Sequence, residues 1–173
     1  MNIVLTGFMA SGKTEISKAV EQMSAYKRLD TDDMIAEEAK MTINEIFAKY
    51  GEEYFRKLEH EIIKKASDED NAVIATGGGT VLNRNNISEL RKNGVIINLS
   101  PDFSVIKERV EDAAATRPLL QNQSIDEIRE RFEKRREFYD NCDYKIRVVS
   151  GRTPKSYAME ILKIMDDISN KKI

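Results

Sequence analysis

Short apolar runs separated by longer amphipathic stretches are the main pattern along the chain. Unbroken runs of Val, Ile and Leu predict buried β-strands. The clearest runs lie at residues 3–6, 72–75 and 95–99, and weaker candidates lie at 27–30 and 145–149. In the stretches between them, apolar residues stand three or four positions apart, which predicts helices. The chain is therefore expected to alternate between strands and helices.

Residues that favour helix ends support this interpretation. Capping boxes begin at Thr42 and Ser124, each followed by a Glu three positions later. Gly51 is expected to end the helix that Thr42 begins, and a second helix is expected over 52–66. A Thr-Pro pair at 153–154 predicts the start of the last helix, because Pro is favoured at the first helical position.

Strands that alternate with helices predict a mainly parallel sheet covered by helices on both faces. The 173 residues fit one domain, 1–173, because domains usually contain about 100–200 residues. The sequence has neither an internal repeat nor a linker. Its least regular stretch, residues 111–123, is small, polar and broken by Pro118. We expect a mobile loop there.

The composition argues against several classes of protein. A net charge of −2 does not indicate a basic, nucleic-acid-binding surface. Cys142 and His60 are the only Cys and His, which excludes a disulfide within the chain and a Cys/His metal cluster. No apolar run approaches about 18 residues, so we expect no membrane span. The first residues do not match a signal peptide, and we expect a cytoplasmic protein.

The segment GFMASGKT at residues 7–14 carries the strongest chemical signal. It fits the pattern G-x-x-x-x-G-K-[ST] between a predicted strand and a predicted helix, which is the setting of a phosphate-binding loop. In such a loop backbone N–H groups surround phosphate oxygens, Lys13 reaches the terminal phosphates and the Thr14 hydroxyl ligates Mg²⁺. A nucleoside triphosphate is the expected ligand. The guanine-binding pattern N-K-x-D is missing from the sequence, which favours a small-molecule kinase over a GTPase.

Segments spread over nearly the whole chain extend this interpretation. In order they read GFMASGKT, LDTDDMI, INEIFAKYGEEYFRKLE, TGGG, TRPLL, RREFY and GRTP. Together they resemble the shikimate kinases, which phosphorylate the 3-hydroxyl of shikimate in aromatic amino-acid biosynthesis. The resemblance implies an α/β P-loop kinase fold with strand order 2-3-1-4-5 and a mobile lid. It also implies ATP and shikimate as substrates, Mg²⁺ as cofactor and a monomer. Another small-molecule kinase, of gluconate or nucleoside-monophosphate type, and a non-catalytic nucleotide-binding module stay open as alternatives.

The resemblance also implies roles for residues on the nucleotide side. Asp30 would help to hold hydrated Mg²⁺, although a helix cap is an alternative role for an Asp at this position. Arg117 in the lid, at about residues 111–123, would stabilise charge on the transferring phosphoryl group. Arg152 would border the adenine, and Arg109 is a second candidate for that contact. The loop residues implied to contact ATP are Ala10, Ser11, Gly12, Lys13, Thr14 and Glu15.

The acceptor side is implied to occupy about residues 31–62, the glycine run and a later helix. Asp32 would bind the acceptor hydroxyl and take its proton. Arg56 would bind the shikimate carboxylate, and Glu59, three residues further along the predicted helix, can orient it. From the residues alone, other roles stay open: a helix cap for Asp32, a surface ion pair for Arg56 and a tight turn for the glycine run. The other implied contacts are Phe47 and Phe55 in the pocket wall, the backbone of Gly77, Gly78 and Gly79, and Arg135.

Helix periodicity gives a separate argument about Arg135. This residue falls on the apolar stripe of its predicted helix, which otherwise consists of Ile125, Ile128, Phe132 and Tyr139. A guanidinium that faces the protein needs an anionic partner, because burying it alone costs several kcal/mol. That partner is either the shikimate carboxylate or a carboxylate of the fold. Arg136 falls off the stripe, so solvent is expected to reach it.

Two positions depart from the family pattern. Ala10 stands where the family often has Gly, and we expect a negative φ there, because Ala tolerates positive φ poorly. Glu137 stands where the pattern R-x-P-x-Y has Pro. This second departure weakens the alignment of the RREFY segment and leaves Arg136 as a competitor for the role of Arg135.

Overall fold

Five parallel strands form the sheet at the centre of the protein, of which the computed structural model describes residues 1–114 and 123–171. The strands lie in the order β2-β3-β1-β4-β5, which confirms the predicted order. This order sets the ends of β1 and β3 side by side, at the edge where ligands bind in open parallel sheets. The strands are β1 (Asn2–Thr6), β2 (Lys27–Asp30), β3 (Ala72–Ala75), β4 (Gly94–Pro101) and β5 (Tyr144–Val148).

Helices pack against both faces of this sheet and enclose two apolar cores. Ile3 and Leu5 face the core that contains α1 and α7, and Val4 faces the core that contains α4 and α6. Each aliphatic side chain that is fully buried in this way contributes about 1.5–3 kcal/mol. None of the described helices is both long and apolar enough to cross a membrane. The helices are α1 (Lys13–Met23), α2 (Thr31–Ala39), α3 (Ile43–Ser67), α4 (Arg84–Lys92), α5 (Phe103–Ala114), α6 (Ile125–Tyr139) and α7 (Pro154–Asn170).

Two helices differ from the sequence-based expectation. The apolar pattern did not indicate α4, because its buried apolar residues are only Ile87 and Leu90 and its start is rich in Asn. Helix α5 continues through Ala114. The expectation of a loop from residue 111 is therefore wrong for its first four positions, and residues 115–122 lie outside the described part of the chain.

Helix α3 bends sharply at Gly51, where φ is 80° and ψ is 178°. This backbone conformation is open essentially only to glycine. The sequence predicted a helix end at this glycine and a second helix after it, and the bend confirms that prediction. Phe47 lies before the bend and Phe55 after it, and their ring centroids are 4.5 Å apart. The bend therefore shapes the wall of the predicted acceptor region.

We predict that Gly51→Ala lowers the free energy of unfolding by about 1–3 kcal/mol, because an L-residue is strained at this φ and ψ. Crowding does not contribute, since a Cβ at this position would meet nothing within 4 Å. Urea unfolding of the two proteins measures the difference. Lys49→Ala, at an exposed position of the same helix, is the control and should stay within about 0.5 kcal/mol. Equal stability of Gly51→Ala and the parent protein would contradict the strained bend.

Candidate active site

The loop between β1 and α1 encloses the ammonium group of Lys13. Its Nζ donates hydrogen bonds to the carbonyls of Gly7 at 2.6 Å and Phe8 at 3.0 Å. Desolvation lowers the pKa of Lys13 to about 8, although Asp32 and Asp30 act in the opposite direction. The amine is thus held inside the loop that is predicted to bind phosphate.

Other predicted nucleotide contacts surround this loop. Ser11 is buried, and its Oγ lies 3.3 Å from the Nζ of Lys13. Gly12 directly precedes α1 and has a φ of 99°, and the first N–H groups of a helix are free to bind an anion. The Glu15 carboxylate instead pairs with Lys18 at 2.8 Å on the surface. Only the backbone N–H of Glu15 can therefore meet a phosphate.

Ala10 has a φ of 59°, so the expectation of a negative φ at this position is wrong. A left-handed conformation costs a residue with a Cβ roughly 1–2 kcal/mol. Arg109 contributes to holding it, because its Nη1 donates to the Ala10 carbonyl at 2.8 Å. Arg109 was a second candidate for the adenine contact, and it reaches the phosphate loop from α5.

Thr14 and Asp30 face each other at the ends of two different elements. The Thr14 hydroxyl lies 3.5 Å from Asp30 Oδ2, and Asp30 Oδ1 accepts from the backbone N–H of Asp32 at 3.1 Å. Asp30 therefore caps α2 and borders the phosphate loop at the same time. Arg28 was not predicted, and its Nη2 lies 2.9 Å from Asp30 Oδ2 and 3.6 Å from Asp33.

The Asp32 carboxylate lies against the glycine run that follows β3. A Cβ at Gly77 would be only 2.8 Å from Asp32 Oδ1. Partial removal from water raises the pKa of Asp32 to about 6, and the negative charges of Asp30 and Glu59 add to the effect. The side chain keeps contact with solvent. The backbone N–H of Gly77 donates to the Thr31 hydroxyl at 3.1 Å, and the substrate contacts of Gly77, Gly78 and Gly79 stay predictions.

Arg56 lies across the same glycine run. A Cβ at Gly79 would lie 2.6 Å from Arg56 Nη2, so only glycine allows this approach. The predicted pair with Glu59 is present, with Arg56 Nη1 3.0 Å from Glu59 Oε2. Glu59 is 1% exposed, and its other oxygen accepts from the Thr80 hydroxyl at 2.8 Å. The alternative of an ordinary surface pair is excluded by this burial.

Gly78 connects the glycine run to the phosphate loop and to α6. A Cβ at Gly78 would lie 3.5 Å from the backbone nitrogen of Met9. The Tyr139 hydroxyl donates to the Gly78 carbonyl at 2.5 Å. Burial raises the pKa of this phenol to about 12, so it remains a donor at neutral pH. The predicted acceptor and nucleotide regions therefore adjoin at this point.

Arg135 is half-buried beside Tyr139, as the helix pattern predicted. Within residues 1–114 and 123–171, no carboxylate of the fold forms an ion pair with it, so the alternative of a structural pair gains no support. Arg136 is exposed and lies 3.8 Å from Glu133. The two neighbouring arginines thus face different surroundings.

Arg117 and Arg152 are the two other arginines that are predicted to contact the nucleotide. Arg117 lies outside the described residues, so its role stays a prediction. Arg152 contacts α7, the helix that follows it: its Nη2 donates to Glu160 at 2.5 Å, and its guanidinium carbon lies 4.1 Å from the centre of the Tyr157 ring. Its contact with adenine also stays a prediction.

Comparison with known proteins identifies the family. A sequence model described as shikimate kinase matches residues 9–166. The chain belongs to the shikimate kinase family. It is 47% identical over 163 residues to the shikimate kinase of Caldanaerobacter subterraneus subsp. tengcongensis, with 94% of each chain covered.

Solved shikimate kinases have the same fold. The enzyme from Acinetobacter baumannii in complex with shikimate superposes with a TM-score of 0.86 at 28% identity, over 98% of this chain and 94% of that one. The enzyme from Bacteroides thetaiotaomicron gives a TM-score of 0.87 at 29% identity, over 96% and 98%. The predicted P-loop kinase fold is confirmed, and so is the predicted activity of the shikimate kinase family, ATP-dependent phosphorylation of shikimate in the shikimate pathway.

Sequence reasoning missed several residues that position the shikimate kinase site. Arg28 stands two positions before Asp30 on β2, so both side chains point to the same face of the strand. The spacing of two residues between Arg28 and Asp30 was the signal that could have predicted this ion pair. Thr80 directly follows the glycine run, but nothing in the sequence linked it to Glu59. The hydroxyl of Tyr139 was counted only as part of an apolar stripe.

We predict that Ala10→Gly raises the free energy of unfolding by up to about 1 kcal/mol. Glycine avoids the strain of the left-handed conformation. The free energy gained in this way exceeds the cost of the additional conformational entropy that glycine loses on folding. Ala36→Gly, inside α2, is the matched control and should lower stability by about 0.5–1 kcal/mol. Urea unfolding of both variants gives the comparison. A loss at position 10 as large as that at position 36 would contradict the positive φ.

Proposed function

We propose that the chain transfers the γ-phosphoryl group of ATP to the 3-hydroxyl of shikimate, with the residues described above. The observation that carries the proposal is the approach of Asp32 and Arg56 to one glycine run, beside Gly77 and Gly79. An acceptor that rests on this run would meet a proton acceptor on one side and a cation on the other. The neighbouring phosphate loop supplies the donor side.

Lys13 is proposed to stabilise the negative charge of the transferring group. The ammonium would leave the Gly7 and Phe8 carbonyls and turn to the phosphate oxygens, where charge-assisted hydrogen bonds are stronger. The N–H groups at the start of α1 would add to this stabilisation. Arg117 is proposed to approach the same oxygens from the lid, as a cationic residue supplied by the same chain.

Asp32 is proposed to take the proton of the attacking hydroxyl. A general base works best when its pKa lies near the working pH, and the pKa of Asp32 is raised to about 6. Most of this carboxyl group is therefore ionised at neutral pH but more basic than an ordinary Asp. The position beside Gly77 fixes its direction.

Arg56 and Arg135 are proposed to bind the shikimate carboxylate from two sides. Arg56 is oriented by the buried Glu59 and still has guanidinium donors to offer. Arg135 is half-buried, and no carboxylate of the described residues neutralises it. A planar guanidinium can hold a carboxylate with two parallel hydrogen bonds.

Mg²⁺ is proposed as the cofactor, held through Thr14 and Asp30. These residues fit the ion, because hydroxyl and carboxylate oxygens are its preferred protein ligands and lie 3.5 Å apart here. Bound magnesium supplies positive charge that neutralises the phosphates. Arg28 would orient the Asp30 carboxylate. We further propose that residues 1–173 form one domain and act as a cytoplasmic monomer that binds neither nucleic acid nor membranes.

Release of ADP with a panel of acceptors tests the proposed function. Purified protein is mixed with ATP and Mg²⁺ and then with shikimate, gluconate or a series of nucleoside monophosphates. Only shikimate should give rapid turnover. Release with gluconate or a nucleoside monophosphate and not with shikimate would contradict the proposal, and so would the absence of turnover with every acceptor.

We predict that Asp32→Asn lowers kcat by about 10²–10⁴-fold, which is the usual contribution of a general base. The affinity for ATP should change little, because the side chain faces the acceptor. Asp33→Asn is the matched control on the same helix, and its exposed carboxylate makes it dispensable for turnover. Steady-state kinetics distinguish the two variants. A normal kcat in Asp32→Asn would exclude this residue as the base.

We predict that Arg135→Met raises the KM for shikimate more than tenfold and leaves the KM for ATP nearly unchanged. Loss of a buried charge-assisted pair costs about 2–5 kcal/mol. Arg136→Met is the matched control, because this side chain is exposed, and it should behave like the parent enzyme. A shikimate defect confined to Arg136→Met would move the assignment by one residue.

A further inference from the structure

A cavity of about 240 Å³ lies between α6, the start of α5, the inner strand β4 and the edge strand β5. Aromatic rings of Phe8, Phe103, Phe132 and Tyr139 form much of its wall. The centroid of Phe132 lies 5.3 Å from that of Phe8 and 5.5 Å from that of Phe103. The described residues that line it include none of the predicted ATP, magnesium or shikimate contacts. The cavity therefore adjoins the candidate active site without containing its predicted ligand contacts.

One wall of this cavity contains a buried polar atom without a partner. Asn98 on β4 is 2% exposed, and no donor among the described residues reaches its Oδ1. Thr6 pairs with Asn98 in register across β1 and β4, and its Oγ1 is likewise unpaired. Leaving a buried polar group unsatisfied is costly, and the large majority of buried polar side-chain atoms have a hydrogen-bond partner. The Oδ1 atom itself is closed off from the cavity, so a ligand with an N–H or O–H group would supply the missing donor after a rotation of the Asn98 side chain.

The charges at the cavity rim are already paired. Asp102 lies 2.7 Å from Arg147, Arg136 lies 3.8 Å from Glu133, and Lys145 is bonded to Asp140. This rim gives no preference for an anion or a cation. The aromatic wall instead favours a planar apolar ligand. A cavity of roughly 150 Å³ can hold benzene, so this one has room for a ring with a polar substituent.

Phe8 connects the cavity to the phosphate loop. Its ring lines the cavity, and its carbonyl accepts a hydrogen bond from Lys13 Nζ at 3.0 Å. A ligand that packs against the ring would favour this arrangement of the loop. Lys13 has to leave that carbonyl in order to bind a phosphate. Occupation of the cavity and binding of a nucleotide should therefore oppose each other, by the same factor in both directions.

We infer that this cavity is a ligand site for a small neutral aromatic molecule with an N–H or O–H donor, and that its occupation weakens nucleotide binding. Asn98 would accept the donor, and the rings of Phe8 and Phe132 would enclose the aromatic part. Binding of such a molecule would affect the phosphate loop, although the molecule itself would contact neither substrate.

Indole and N-methylindole are suitable probes, because they differ mainly in the N–H donor. The 173 residues contain no Trp, so the fluorescence of either probe can be followed directly during a titration of the intact protein. We expect one molecule of indole to bind per chain. Its affinity should be about fivefold or more higher than that of N-methylindole, because a typical hydrogen bond contributes about that factor. Asn98→Leu should abolish the preference, whereas Asn44→Leu on the surface should retain it. No binding, or equal binding of both probes by the parent protein, would overturn the proposal.

Amide NMR of the unaltered protein locates the probe even if Asn98→Leu fails to fold. Indole should shift the signals of Ser100, Phe132 and Lys145 and leave those of Arg56 and Gly79 unchanged. Shifts centred on Arg56 and Gly79 would overturn the assignment.

Titration with a non-hydrolysable ATP analogue tests the coupling. Saturating indole should weaken binding of the analogue several-fold in the parent protein and in Asn44→Leu. Equal affinity with and without indole would overturn the coupling. Neither readout needs turnover, so a failure here is distinct from a failure of the proposed kinase reaction.

Discussion

The carboxylate of Glu59 is 1% exposed, and an unpaired anion at such a position would cost several kcal/mol. Arg56 and Thr80 supply the charge and the hydrogen bond that make its burial tolerable. Because Glu59 lies on the second half of α3 and is bonded to Thr80, it orients the guanidinium of Arg56. The glycine run can then approach that guanidinium closely, and together they form one surface of the acceptor side of the site.

The parallel sheet brings this glycine run next to the phosphate loop. Because β1 lies between β3 and β4, the turns after β1 and β3 leave the same edge side by side. Helix α6 is connected to the same region through Tyr139, whose hydroxyl donates a hydrogen bond to the Gly78 carbonyl. Residues that are far apart in the sequence thus meet around one short glycine segment. This arrangement lets a single chain of modest length bind two different substrates at adjoining positions.

Much of this fold could be predicted because its signals are local. Unbroken apolar runs indicated β1, β3 and β4, and Gly51 marked the bend of α3. Helix α4 escaped because its apolar face is narrow, and its buried Asn86 depends on bonds to His60 and Thr80. The positive φ of Ala10 could not be foreseen, because it depends on the loop closing around Lys13 and on the distant Arg109. Side-chain contacts such as that of Glu59 with Thr80 exist only once separate elements have packed.

The two edge strands carry a further consequence. Edge strands offer unpaired backbone groups to other chains, and natural proteins often guard them with charge. Here β2 begins with Lys27 and Arg28, and β5 exposes Lys145 and Arg147. Although the whole chain is slightly acidic, the cations at both borders of its sheet are held in ion pairs, Arg28 with Asp30, Lys145 with Asp140 and Arg147 with Asp102. Two copies that met border to border would have to remove these charged groups from water, so the sheet resists extension into larger aggregates.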